Sequence, residues 1–278
     1  MRKKKWHTVT EFNLKGISSG IFIILMVFSV TRGEAQKSYP FPFGPGENLR
    51  YQLNYTFITA GEAILQIDRD TLERRYVHHI KAEAKTTGVF NTLYGVRDIY
   101  ESWYDPASLL PRKAIRNIKE GRYRKYNVVL FDHFIRPDSA VVHSQAKGKV
   151  IVPKETYDIL TGFLLFRKNY RNYPFEKNET ILIQTYFTDE LWPLKIRYKG
   201  EEQVKLKIGK VNCYKFSPVT EVGRAFKSQE DMYVWFSDDE NFLPVKIWFN
   251  LRVGSFKVEL DDFSGLKHPF TSLIPSGR

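Results

Sequence analysis

From Leu49 to Phe57, apolar and polar side chains take strict turns. Leu49, Tyr51, Leu53, Tyr55 and Phe57 interleave with Arg50, Gln52, Asn54 and Thr56. A period of two gives a strand one buried and one wet face. Thr59-Ala60-Gly61 reads as a turn, with Ala63 to Asp68 returning as a second strand. The alternation recurs from Ile181 to Phe187, in Leu194, Ile196 and Tyr198, and in Val204, Leu206 and Ile208. It recurs again in Val245, Ile247, Phe249, Leu251 and Val253. After a turn at Gly254-Ser255 it closes with Phe256, Val258 and Leu260. Short alternating strands of this kind predict an antiparallel sheet, curved or closed into a barrel.

Helical signals are few. Between Thr156 and Tyr170, the residues Ile159, Leu160, Phe163, Phe166 and Tyr170 recur at steps of mostly three and four, the spacing of one helix face. Thr156 or Asp158 is placed to cap it. A shorter helix is predicted at Val89 to Tyr94, between Gly88 and Gly95. The expected fold is therefore mainly β, with one principal helix packed against the sheet and closing a core that an open sheet leaves half exposed.

Three segments share a phrase: Asp105 to Lys113, Asp189 to Ile196 and Asp238 to Ile247. Each runs from an acidic turn through a bulky apolar residue to Pro and then a strand. Hairpin chemistry explains the phrase, because Asp and Asn make side-chain to backbone bonds in turns. Pro is tolerated at the first position of a strand, where its missing N–H breaks no ladder bond. On this reading the acids of Asp238-Asp239-Glu240 are solvated at a hairpin tip. Gly46-Glu47 and Gly200-Glu201 each open a strand, which hints at a duplicated half-barrel.

Composition alters the picture at the N-terminus. Arg2, Lys3, Lys4 and Lys5 precede an apolar run over 17–30, and Gly33-Glu34-Ala35 gives a small-x-small exit. This is the pattern of a secretory signal, with cleavage after Ala35. A spanning helix needs roughly 20 apolar residues, so an uncleaved anchor in the inner membrane is the alternative. The division expected is residues 1–35 as leader and 36–278 as one β-rich domain. Removing the leader, with six basic and two acidic side chains, lowers the formal charge from +12 to +8. An exported protein of this charge suits acidic glycans or lipid phosphates better than nucleic acid, and nucleic-acid binding is not expected. Membrane contact is expected only through residues 17–30, if they are retained. Cys213 is the single cysteine, so the fold does without an internal disulfide.

Catalytic signals are sparse. There is no Gly-x-Ser-x-Gly elbow and no phosphate-cradling Gly loop. Cys213 lies in a strand pattern and reads as a buried, inert thiol. His78 and His79 are adjacent, so in a strand their rings point to opposite faces and cannot share a metal. His133 and His143 stand apart from them. No metal and no cofactor are expected. The polar residues set among apolar ones are Arg97 and Asp98 before Tyr100, Asp158 at the helix start and Arg167 near its end. They read either as ion pairs and caps that dock helix to sheet, or as groups that orient a ligand in a cavity.

Several pieces in order carry a resemblance: Gly46-Glu47-Asn48-Leu49-Arg50-Tyr51, Ala60-Gly61-Glu62-Ala63, Tyr94-Gly95-Val96-Arg97-Asp98-Ile99-Tyr100-Glu101-Ser102, Tyr157-Asp158-Ile159-Leu160, Gly200-Glu201-Glu202, Val234-Trp235-Phe236-Ser237-Asp238-Asp239 and Leu243-Pro244-Val245. Together they resemble the exported bacterial family known as domain of unknown function 3108, over Tyr39 to Gly265. The Lys-, Tyr- and Phe-rich composition suggests a Bacteroidetes-type source. The resemblance implies an envelope or periplasmic location and carries no catalytic residues with it. The Trp…Asp…Leu-Pro hairpin is also similar to one in periplasmic lipoprotein carriers, curved half-barrels around an apolar cavity, which is an analogy of fold alone. The leading expectation is a non-enzymatic protein that binds a lipid, a glycolipid or an envelope glycan. A structural or assembly partner of another envelope protein is one alternative. An enzyme acting on a glycan or lipid through paired carboxylates is the other.

Overall fold

The alternating segments pair with their neighbours in chain order. The computed structural model describes residues 41–219, 231–251 and 254–275. The leader expected over residues 1–35 lies outside them. The elements are β1 (Asn48–Tyr55), β2 (Ile58–Leu72), β3 (Arg75–Thr86), α1 (Gly88–Leu93), β4 (Arg97–Tyr104), β5 (Pro111–Glu120), β6 (Tyr123–Asp132), β7 (Ser139–Ser144), β8 (Gly148–Pro153) and α2 (Ile159–Tyr170). They continue with β9 (Thr180–Phe187), β10 (Glu190–Leu206), β11 (Gly209–Pro218), β12 (Met232–Ser237), β13 (Pro244–Asn250), β14 (Ser255–Ser264) and β15 (Leu273–Pro275).

One antiparallel sheet of 15 strands results, in the order β8-β7-β6-β5-β4-β3-β2-β1-β14-β13-β12-β11-β10-β9, with β15 paired to β11. The two ends of this order nearly meet. After β8 the chain crosses to β9, where the Tyr157 N–H donates to Gln184 O at 3.0 Å and the Tyr186 N–H to Tyr157 O at 2.7 Å. Asp189, at the tip of the β9–β10 hairpin, accepts bonds from Asn127 Nδ2 of β6 and Ser144 Oγ of β7, each at 2.6 Å. Thr188 and Asp189 both have positive φ, 51° and 69°, as a tight two-residue hairpin turn requires. The sheet is thus a nearly closed barrel with α2 packed against its inner wall.

The core follows from the inward rows. Under the C-terminal half of α2, Phe166 meets Phe216 and Phe236, each with ring centroids 5.1 Å away, and Phe236 stacks on Phe242 at 4.8 Å. Edge-to-face and offset contacts of this kind add to the stabilisation from burial itself. Toward the other wall, Leu164 packs with Ile67, Ile80, Tyr104 and Leu109, all fully buried. A third cluster joins Leu49 and Leu53 of β1 to Val211, Leu243, Val245 and Leu260.

The structure corrects the sequence reading at four points. The first hairpin turns at Thr56 and Phe57, not at Thr59-Ala60-Gly61, which lie in β2. Gly61 serves a close strand approach instead: a Cβ there would sit 2.1 Å from Lys85 O. Leu194–Tyr198 and Val204–Leu206 are parts of a single strand, β10. Gly200, at φ +118°, takes up a register shift inside it, so Gly200-Glu201 does not open a second half-barrel. Pro193 lies within β10 but before the register with β11 begins at Ile196, so its missing N–H faces no partner strand. Asp239 is buried rather than solvated. It accepts from Ser237 Oγ at 2.9 Å, the Asn241 N–H at 3.0 Å and Ser272 Oγ at 2.9 Å, which ties the C-terminal segment to the β12–β13 turn.

Candidate functional site

Two polar ties hold α2 in the barrel. Asp158 is its N-cap. Oδ1 of Asp158 accepts from the Leu160 N–H at 2.8 Å, and Oδ2 accepts from Thr161 Oγ1 at 2.7 Å and from Ser102 Oγ of β4 at 2.6 Å. The cap therefore starts the helix and docks it to the wall in one step. Burial pushes the Asp158 carboxyl up, and the bonds from Ser102, Thr161 and Leu160 oppose that rise.

At the other end, Arg167 is fully buried and pairs with Glu47 through both nitrogens, Nη1 to Oε1 at 2.6 Å and Nη2 to Oε2 at 3.1 Å. Nη2 also donates to Asn241 O at 3.0 Å, and the guanidinium lies 5.1 Å from the Phe43 ring centroid. This links the lead-in to β1, the helix and the β12–β13 turn. Removing one member of such a pair strands a buried charge, at about 3–5 kcal/mol.

Between these ties, Ile159, Leu160 and Phe163 of α2 are only half-buried, because the wall they face is set back. The inward rows of β2 and β3 carry Ala63, Ala82 and Ala84 opposite the helix, in register with Tyr51 of β1 and with Asp98 and Tyr100 of β4. Small side chains there leave an apolar hollow of about 320 Å³, which Phe163, Ile247 and Val258 also line. On the other side of Phe163 a second lobe of about 410 Å³ is lined by Ile159, Trp192, Leu194, Met232, Val234 and Phe236. Each lobe falls in the range of small-molecule sites, roughly 300–1,000 Å³. Next to the first lobe, and sharing Tyr100 and Leu160 with it, is a recess of about 40 Å³ with Arg116 and Phe187 in its wall.

Polar groups at the hollow are few. Asp98 accepts from the Lys119 N–H at 3.1 Å. Burial pushes its carboxyl up to about 6, helped by the charge of and a hydrogen bond to Glu120, and the Lys119 N–H works against the rise. Burial likewise raises the Tyr100 hydroxyl, so the phenol keeps its proton.

The four residues singled out from sequence therefore part company. Asp158 and Arg167 are ties of the helix, and Asp158 also backs the small recess. Asp98 reaches the hollow. Arg97 points away and is mostly exposed, its Nε donating to Glu83 Oε1 at 2.8 Å. Sequence reasoning missed Glu47 as the partner of Arg167, the three alanines of the wall, and Arg116. The alanines carry a faint signal, since Ala82 and Ala84 alternate on one face. Among the described residues no helix is long and apolar enough to cross a membrane. None of their His, Cys, Asp and Glu side chains cluster as a metal site. Cys213 is buried, which pushes its thiol up and away from the reactive thiolate.

With this geometry in view, comparison with known proteins adds one decisive match. The model of the protein family of unknown function DUF3108 matches residues 50–261. The chain belongs to the DUF3108 family. No curated protein matches this DUF3108 chain in sequence. In structure it is similar to a beta-barrel-like protein of domain of unknown function DUF1849 from Brucella abortus, at 8% identity and a TM-score of 0.52, over 80% of this chain and 98% of that one. The likeness supports the barrel-like fold and nothing about activity. A putative exported protein with a YmcC-like fold from Bacteroides fragilis is more distant, at 9% identity and a TM-score of 0.35, over 82% of this chain and 100% of that one.

Proposed function

We propose that this DUF3108 protein is a non-enzymatic binder of a hydrophobic or amphipathic ligand, a lipid or glycolipid, working in the cell envelope beyond the inner membrane. The observation that carries this reading is the two-lobed apolar hollow beside Phe163, one lobe paved by Ala63, Ala82 and Ala84 and the other walled by larger apolar side chains. Larger residues on this wall would add buried apolar contact, and the barrel leaves that contact unmade along one face of its principal helix. The envelope location rests on the charged, apolar and small-x-small succession of residues 1–35. The buried carboxylates Asp158 and Asp189 are each engaged in several bonds, which leaves them poorly disposed for acid–base work.

Native mass spectrometry of the protein taken from its own membrane fraction tests the reading. A lipid-mass adduct, lost on delipidation and regained as saturable binding of one apolar probe per chain, is the expected result. Protein that is adduct-free and binds no long-chain probe overturns it.

A further inference from the structure

Resting on that reading, we infer that Arg116 anchors the head of the ligand, and that the ligand is a hydrocarbon chain ending in a carboxylate, of the fatty-acid type. Arg116 lies in β5 with its Cα in register with Tyr100 of β4 and Asn127 of β6. The Asn127 side chain reaches Asp189 across the closure of the barrel, and Tyr100 lines the hollow, so this row faces inward. The guanidinium of Arg116 sits 5.3 Å from the Phe187 ring centroid. Its Nε is buried and has no hydrogen-bond partner, and among the described residues Arg116 makes no ion pair. A part-buried cation without a counter-charge is an unfavourable feature to retain unless something binds it.

The neighbouring acids do not supply that counter-charge. Asp189 is occupied by Asn127, Ser144 and, at 3.5 Å, Lys125. Asp158 is occupied by Ser102 and Thr161. Asp98 is engaged with the Lys119 N–H and with Glu120. Glu101 pairs with His79. None of these four acids forms an ion pair with Arg116, the one basic side chain in the wall of the recess.

Its surroundings select the ligand. The planar fork of a guanidinium matches a carboxylate with two parallel bonds, which an ammonium cannot do. The recess of about 40 Å³ has room for a head of a few heavy atoms. Because Tyr100 and Leu160 border both the recess and the hollow of about 320 Å³, a chain tethered at Arg116 runs directly over the alanine wall. The Tyr100 hydroxyl, kept protonated, is a second donor on that shared border.

The test compares cis-parinaric acid, a fluorescent long-chain fatty acid, with its methyl ester, on the full chain and on Arg116→Gln. The wild type should bind the acid at least ten-fold more tightly than the ester. The variant should lose that preference while binding the ester as the wild type does, which also shows that its barrel is intact. Equal affinity of the wild type for acid and ester, or undiminished acid binding by the variant, overturns the role of Arg116 and leaves the apolar site standing. Failure of the wild type to bind either probe removes both readings. If the variant binds neither probe, Arg116→Lys decides. Retained ester binding with weakened acid binding supports the fork, and acid binding equal to wild type overturns it.

Discussion

The two halves of α2 meet the same barrel in opposite ways. Its C-terminal half is locked in: Phe166 and Arg167 are almost wholly buried, one among Phe216, Phe236 and Phe242, the other on Glu47. Its N-terminal half is docked by Asp158 but then presents Leu160 and Phe163 to the hollow paved by Ala63, Ala82 and Ala84, and Ile159 and Phe163 to the second lobe. The N-terminal half is the more apolar in sequence, since Arg167 and Lys168 both fall in the C-terminal half, yet it is the less tightly packed. The difference lies in the size of the side chains opposite, and it separates the part of the core that provides stability from the part available to a ligand.

Substitutions on the two sides should expose that difference, and the largest effect belongs to the filled side. Phe216→Ala removes a ring that contacts Phe166, Phe236 and Tyr198, and should destabilise the fold by about 3–5 kcal/mol. Urea unfolding measures this, and a loss under about 1 kcal/mol would mean that the aromatic cluster is loosely packed after all. Ala82→Leu makes the opposite change on the open side. In a filled core added bulk costs about 1–3 kcal/mol, whereas here it should change stability by less than about 1 kcal/mol and should cut binding of an apolar probe. A large destabilisation with binding retained would place the ligand elsewhere.

The smallest effect concerns Asp98 at the rim of the hollow. Its carboxyl, raised from 3.8 to about 6 in the folded chain, holds its proton more tightly folded than unfolded. The wild type should therefore lose stability as pH rises from about 4 to 6, and Asp98→Asn should not lose that part. Below pH 4 the two should melt together. Above pH 6 the variant should melt higher, by less than about 4 °C because the site is partly solvated. Identical melting differences at pH 4 and pH 7.5 would contradict the raised carboxyl.

The class of the barrel and part of its strand order were legible in the chain, but most of β3 to β8 was not. Period-two alternation found β1, β9, β13 and β14, and the helical spacing found α2 with Asp158 as its cap. The errors arose where one local signal had two physical uses. Gly61 and Gly200 read as punctuation, yet one admits a neighbouring backbone and the other bulges a long strand. The acids of Asp238-Asp239-Glu240 read as solvated, yet Asp239 is claimed by Ser272, far along the chain. Arg116 escaped notice because Ile115 and Ile118 lie on opposite faces of β5, so the alternation there does not say which face is inside.

The sequence by itself determined the fold class and several of the elements, β1, β9, β13, β14 and α2 among them, because strand and helix periods are properties of consecutive residues. It also contained the export-like leader pattern and the one cap that starts α2. Tertiary structure alone decided the pairing of Arg167 with Glu47, 120 positions away, and the latch of Asp189 on Asn127 and Ser144. It alone decided the hollow, since a cavity is a difference between the volume that surrounding strands enclose and the volume that their side chains fill. That difference depends on Ala63, Ala82 and Ala84 standing on adjoining strands opposite one face of a helix, a coincidence that no local pattern records.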